Sequence, residues 1–219
     1  VDTGLSISAV YNAQVLGIDL STIDKIVLSH GHIDHTGGLR EVLRRTGKVE
    51  VIAHPDIWAV KYARLKEQEF YIGIPFQREG LESLGASFNL TREPVNLGDG
   101  IMTTGEVPMS TGYEEIDPDI FVKREGNLYP DPLADDLALV IDTEQGLIVI
   151  LGCAHRGIIN TLRHAQKLTG QKLIRAVIGG PHLFRASENQ IEQTVRALKG
   201  MGIKKLGVSH CAGFYLSLI

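Results

Sequence analysis

Three imidazoles and one carboxylate fall within six positions of this chain, in Ser29-His30-Gly31-His32-Ile33-Asp34-His35. Imidazole nitrogen suits borderline transition ions such as zinc and iron, and a carboxylate oxygen can complete the set. In an extended backbone alternate side chains share a face, so His30 and His32 would grip one ion together. A bend toward a helix would then turn Asp34 and His35 to a second ion. Two divalent ions about 3.5–4 Å apart hold a bridging hydroxide and polarise a substrate oxygen. The expected cofactor is therefore a pair of divalent cations, zinc first, with magnesium, manganese and iron as alternatives.

Such a pair needs more ligands than this segment supplies. His155 in Gly152-Cys153-Ala154-His155, His182 after Gly179-Gly180-Pro181, and His210 after Ser209 each follow an apolar run that reads as a strand. Open α/β sheets place their ligands at such strand ends. His164 falls inside a helical pattern and His54 just ahead of one, so both are read as structural. Cys153 and Cys211 neighbour these histidines. They are read as small buried hydrophobes, with thiolate ligation as the alternative, which would favour zinc or iron over magnesium.

The elements that position these residues alternate along the chain. Runs at 25–29 and 49–53 read as strands, and 36–46 as a helix with Leu39, Val42 and Leu43 on one face. Pro55 is placed to open a helix reaching about residue 69. Short strands are expected at 86–90, 94–97 and 100–104, then a long loop over 106–136. Long loops inside compact domains are more often functional than accidental. The apolar runs 137–141 and 147–151 form a hairpin, followed by a helix over 158–168 that Gly170 ends. A strand at 173–178, a helix capped by Ser187 and Gln190, and a last strand at 206–209 complete the pattern. With no internal repeat and no boundary, residues 1–219 read as a single α/β domain with a hairpin-rich middle.

Composition narrows the function classes. The 219 residues are 43% hydrophobic and 22% charged, with a formal charge of −4, which is ordinary for a globular protein. No strongly basic stretch points to a nucleic-acid partner. No apolar run nears the roughly 20 residues of a membrane span. Two cysteines are too few for a disulfide framework, so the expected location is the cytoplasm. The chain begins at Val1 and stops within an apolar run, 214–219, so both ends read as cut. The expected partner is a small-molecule substrate, with homo-oligomerisation left open.

His30-Gly31-His32-Ile33-Asp34-His35 has an HxHxDH pattern and resembles the metallo-β-lactamase superfamily. Asp2-Thr3-Gly4 looks like that family's early acidic motif, and Ser209-His210 like its final histidine. The resemblance implies a four-layer αββα sandwich holding two metals, here lacking its first strand or strands and its extreme C-terminus. It implies His30, His32, Asp34, His35 and His210 as ligands, with Asp2 behind them; His155 is expected as a further ligand and Cys153 as a neighbour behind the set. One branch is nearer. Segment 16–21, Gly152-Cys153-Ala154-His155, Gly179-Gly180-Pro181-His182 and His210-Cys211-Ala212-Gly213 look like the dihydropterin-methyl-ribofuranosylaminobenzene-phosphate synthases. Archaeal members of that branch join a dihydropterin-methyl diphosphate to an aminobenzene ribotide.

Two positions depart from the wider superfamily. Thr104-Gly105-Glu106 places a glutamate where a histidine is expected, and Gly152-Cys153 lacks the usual bridging aspartate. His155 is expected to reach the first metal instead, with Glu106 as the competing candidate. These departures favour a C–N bond-forming transferase acting on a phosphorylated pterin-like substrate. The alternatives are a hydrolase of a phosphodiester, ester or lactone and, third, a non-catalytic metal-binding protein. Asp34 and His182 are the candidate catalytic groups. Glu106, Tyr113 and Phe121, with Glu114 and Tyr129 nearby, are the candidate substrate contacts in the 106–136 loop. The plainer reading of that loop is a solvated surface segment.

Overall fold

The computed structural model describes residues 1–212; Gly213 and the apolar run 214–219 lie outside the described residues. The chain begins with α1 (Ser8–Val15), β1 (Lys25–Val27), α2 (Ile33–Thr36), α3 (Leu39–Thr46) and β2 (Val49–Ala53). It continues through β3 (Val60–Leu65), β4 (Gln68–Tyr71), α4 (Arg78–Glu82) and β5 (Ala86–Leu90). Next come β6 (Asn96–Gly98), β7 (Ile101–Thr103), β8 (Ile120–Arg124), β9 (Asn127–Pro130) and β10 (Ala138–Ile141). The last elements are β11 (Leu147–Leu151), α5 (Ile158–Thr169), β12 (Ile174–Gly179), α6 (Glu188–Gly200) and β13 (Lys205–Val208). They group into two compact units, Val1–Thr91 with Pro118–Asp131, and Arg92–Asp117 with Pro132 onward.

In the first unit β1, β2 and β5 form a parallel sheet, as near-continuous apolar strands do. Leu39, Val42 and Leu43 of α3 bury one stripe beside Leu28, Val51 and Ile57. A helix over 36–46 was expected; the observed path breaks into α2 and α3 at Gly37-Gly38. A Cβ on either glycine would collide with the backbone carbonyl of Leu5 or Thr3. Gly38 N–H instead donates to Gly4 O at 2.8 Å, which seats the N-terminal segment against the break.

Two expectations in this unit are corrected. The helix proposed from Pro55 to about 69 is a single 3-10 turn, Pro55–Trp58, followed by the β3–β4 hairpin. Proline suits the first turn, but Val60 and Tyr62 favour strand, and Lys66 and Glu67 take left-handed φ of 49° and 66° at the turn. The loop expected over 106–136 contains the β8–β9 hairpin, turned at Glu125-Gly126 with φ of 49° and 85°. Strand β8 pairs with β3, so Tyr62 lies opposite both Phe121 and Tyr71 in one antiparallel sheet.

In the second unit six strands form one sheet in the order β13-β12-β11-β10-β7-β6. The β10–β11 hairpin pairs Ala138 with Leu151 and Ile141 with Ile148. Ile158, Ile159, Leu162 and Ala165 of α5 bury against Val140, Leu147, Val149 and Val177. Gly170 ends α5 in the left-handed region at φ 74°, and the Ser187 side chain caps α6 by accepting from Gln190 N–H at 3.2 Å. No helix among the described residues is long and apolar enough to cross a membrane.

Candidate metal centre

The first unit builds its histidine cluster outward from Asp2. This residue sits at φ 59°, with its N–H bonded to Val27 O at 2.8 Å. Its Oδ1 accepts the Ser29 N–H at 2.7 Å, and its Oδ2 accepts the Ser29 hydroxyl at 2.8 Å. The same Oδ2 lies 2.8 Å from His35 Nδ1. A carboxylate can only accept, so Nδ1 carries a proton, and once the ring is neutral, as a metal ligand must be, it is Nε2 that keeps the lone pair. Ser29 has spent its one proton on Asp2, so His30 Nδ1, at 2.9 Å, donates to Ser29 Oγ. That leaves His30 Nε2 with a lone pair, 3.0 Å from His32 Nδ1. One carboxylate thus sets the tautomer of two buried histidines so that both offer Nε2.

His30, His32 and His35 are all buried. The His30 ring centroid lies 4.5 Å from that of His32 and 4.2 Å from that of His35. His32 is the N-cap of α2 in extended conformation, and Ile33 N–H donates to Ile72 O at 2.7 Å. Asp34, 3.5 Å from His35 Nε2, is the most open member, with its side chain 41% exposed. Burial raises its pKa, yet the His35 bond and the charges of His35 and His32 hold it at about 2. Burial likewise opposes charge on His35, and the bonds and charges of Asp2 and Asp34 push it up to about 10. Two carboxylates around buried imidazoles make a field that favours a cation, so this donor set fits a metal.

The second unit gathers its donors at three neighbouring strand ends. Ala154 beyond β11, His182 beyond β12 and His210 beyond β13 have φ of 46°, 44° and 59°. Non-glycine residues held there mark strain that surrounding structure must enforce. Gly180 allows the close approach: a Cβ there would stand 2.6 Å from Cys211 Sγ and 2.7 Å from Gly152 O. Ligand atoms of Cys153, His155 and His182 lie within 4.8 Å of one another, as do those of Cys153, His210 and Cys211. The His155 and His182 ring centroids are 4.0 Å apart.

Both ring nitrogens of His182 are buried without a hydrogen-bond partner, although Nε2 lies 3.8 Å from Asp117 Oδ2. Burial opposes charge on this ring, but Asp117 and Cys211 push its pKa up to about 9. The Cys211 sulfur accepts the His182 N–H at 3.2 Å. Its thiol is pulled down to about 5, chiefly by the Cys153 contact and, against burial, by His182. Unpartnered buried nitrogen beside sulfur fits a borderline ion better than magnesium.

Neighbouring residues were missed in the sequence. Asp136 is fully buried, with Oδ2 accepting the Arg156 N–H at 3.0 Å and Oδ1 unpartnered. Burial lifts it to about 7, against the Arg156 bond and helped by Asp135. The available cue was the paired Asp135-Asp136 directly ahead of a strand. Asp117, held 3.4 Å from Arg185 Nη1, had no sequence cue.

Glu106 lies 3.2 Å from Arg92 Nη1 and 3.6 Å from Arg156 Nη1. Tyr113 packs on the α5 core with its hydroxyl buried and unpartnered. Phe121 stands on β8 under the Arg64 guanidinium, 4.4 Å from its ring centroid, and Tyr129 is exposed on β9. Glu114 caps α5, accepting the Ile159 and Asn160 N–H groups at 2.8 Å each. His164 reaches Thr104 O at 3.1 Å and His54 accepts the Asp56 N–H at 3.0 Å, both local structural bonds.

An α/β fold with this histidine motif defines a class. The profile described as "Metallo-beta-lactamase superfamily" matches residues 1–210, and the chain belongs to that superfamily. It is 37% identical over 211 residues to the 7,8-dihydropterin-6-methyl-4-(beta-D-ribofuranosyl)-aminobenzene-5'-phosphate synthase of Methanocaldococcus jannaschii, covering 93% of this chain and 71% of that one. An uncharacterized protein of the same archaeon is 34% identical over 194 residues, covering 87% of this chain and 70% of its own length. A crystal structure described as a metal-dependent hydrolase of the beta-lactamase superfamily matches with a TM-score of 0.84 at 30% identity, covering 98% of this chain and 78% of that one. The resemblance read from the motifs, to the superfamily and to the synthase branch, holds.

Proposed function

We propose that this chain is a divalent-metal-dependent transferase that forms a C–N bond on a phosphorylated, pterin-like substrate. The observation that carries the reading is the likeness to the archaeal synthase, over 93% of this chain. The proposed ligands are His30, His32, Asp34, His35, His155 and His210, with Asp2 setting the histidine tautomers and Cys153 adding sulfur. The ion pair around Glu106 favours His155 over Glu106 as a ligand.

Bound cations would supply charge that stabilises a diphosphate as it departs. The chain's own groups do the rest. The amine nitrogen of the acceptor attacks the methylene carbon attached to the ring, the C–O bond to diphosphate breaks, and the electron pair leaves with diphosphate. Asp34, the most open carboxylate of its cluster, takes the proton that the amine gives up. His182, beside Asp117, is the second proposed proton carrier. Phe121 remains a proposed substrate contact; Glu106 would serve only by leaving Arg92 and Arg156, and Tyr113 only by leaving its packing on the α5 core.

The second reading is a hydrolase, favoured by the description of the matching crystal structure. Metal-loaded protein given a dihydropterin-methyl diphosphate, with and without an aryl amine, separates the two. Pyrophosphate release that requires the amine supports the transferase. Release independent of the amine supports the hydrolase, and no release from folded, metal-loaded protein overturns both.

A further inference from the structure

The first unit carries a cavity of about 520 Å³ that no step above uses, lined among others by Trp58, Tyr71, Phe76, Gln77, Arg78 and Glu79. That volume lies in the range of about 300–1,000 Å³ typical of small-molecule sites. Three of its walls are aromatic, which suits a flat ring, because stacked rings gain beyond the area they bury. Its polar rim is the Gln77 amide, the Glu79 carboxylate and Arg78, all exposed, with Arg78 donating from Nε to Glu82 at 2.7 Å. Neither the Gln77 nor the Glu79 side chain has a hydrogen-bond partner among the described residues. A carboxylate only accepts, and an amide both accepts and donates, so together they match an edge that presents N–H donors beside a ring carbonyl.

The cavity is built onto the metal-ligand turn. Ile33, between His32 and Asp34, donates its N–H to Ile72 O at 2.7 Å, next to Tyr71 in the cavity wall. The wall is held in shape. Tyr71 donates its hydroxyl to Ile74 O at 2.7 Å, and its ring lies over Gly73, where a Cβ would stand 2.7 Å from that hydroxyl. The Arg40 guanidinium lies over the Phe76 ring, 4.6 Å from its centroid.

We propose that this cavity binds a planar nitrogen heterocycle with an amino-pyrimidinone edge, the class to which pterins belong. The rings of Trp58, Tyr71 and Phe76 provide the stacking surface, and Gln77 and Glu79 bond the donor edge. The choice of heterocycle rests on the transferase reading above; the site itself rests on the cavity.

Trp58 is the chain's one tryptophan, so its emission reports on this cavity directly. The probe is pterin itself, titrated into full-length metal-loaded and metal-free protein, with emission corrected for absorption and affinity cross-checked by calorimetry. The expected result is saturable quenching in both forms. Glu79→Gln should weaken binding by about tenfold or more, as loss of a charge-assisted bond does. Phe76→Ala should do the same, and both variants should keep their circular dichroism and metal content. A pteridine lacking the 2-amino group should bind more weakly by about the same factor. Absence of pterin binding, or equal binding in wild type and both variants, overturns the proposal. Glu79-dependent binding without any pyrophosphate release would keep this site and remove the transferase; amine-dependent release with variant-independent binding would do the reverse.

Discussion

Asp2 and His35 stand 33 positions apart, and the carboxylate Oδ2 meets the ring Nδ1 at 2.8 Å. Through Ser29 the same carboxylate also governs His30. Groups behind a metal ligand typically tune affinity by about 10–100-fold. Asp2→Asn should therefore weaken zinc binding within that range, measured by competition with a chromogenic chelator. Unchanged affinity in a folded variant would show that the tautomers are set some other way.

Cys153 places sulfur beside His155 and His182. Cobalt-substituted wild-type protein is expected to show a near-ultraviolet sulfur-to-metal charge-transfer band, and Cys153→Ser to lose it. A band of equal strength in the variant would remove Cys153 from the coordination set.

Glu114 satisfies two N–H groups in the first turn of α5. A Cβ on Gly157 would collide with its carboxylate, so the turn is shaped around it. Glu114→Ala should cost about 2 kcal/mol or more, since buried donors lose their acceptor. Burial, partly offset by those bonds, holds this carboxyl above its ordinary 4.5. A raised acid favours the folded state most in its protonated form. Its contribution is thus complete below pH 4.5 and declines as pH rises through the folded value. Denaturant titrations should show a larger wild-type-to-variant gap in acid than at neutral pH; a gap that widens with rising pH would contradict this.

Lys61 is fully buried, and its Nζ lies 2.7 Å from Asp131 Oδ2. Removing one member of such a pair leaves an uncompensated charge and costs about 3–5 kcal/mol. Lys61→Met should lose that much in urea unfolding, and adding Asp131→Leu should recover part of it. A double variant no more stable than the single one would mean that the pair acts through further contacts.

Much of the candidate site was legible because ligand chemistry is local. His30, His32, Asp34 and His35 share one turn, and His155, His182 and His210 each follow a strand. The less legible parts depend on distant partners. The β3–β4 hairpin was mistaken for a helix because its strand state rests on β8, some 60 residues later. Glu114 looked like a loop residue free for substrate because its donors lie 45 and 46 positions away, on α5. The aromatic cavity is not legible in the sequence because Trp58, Tyr71 and Phe76 converge only once that hairpin forms.

Anomalous diffraction from zinc-loaded crystals would locate any metal held by these histidines. Two anomalous peaks are expected, with ring nitrogens of His30, His32 and His35 at the usual zinc–imidazole distance of about 2.0–2.1 Å. Fully occupied zinc peaks that lie away from all three rings would contradict a metal centre on these histidines.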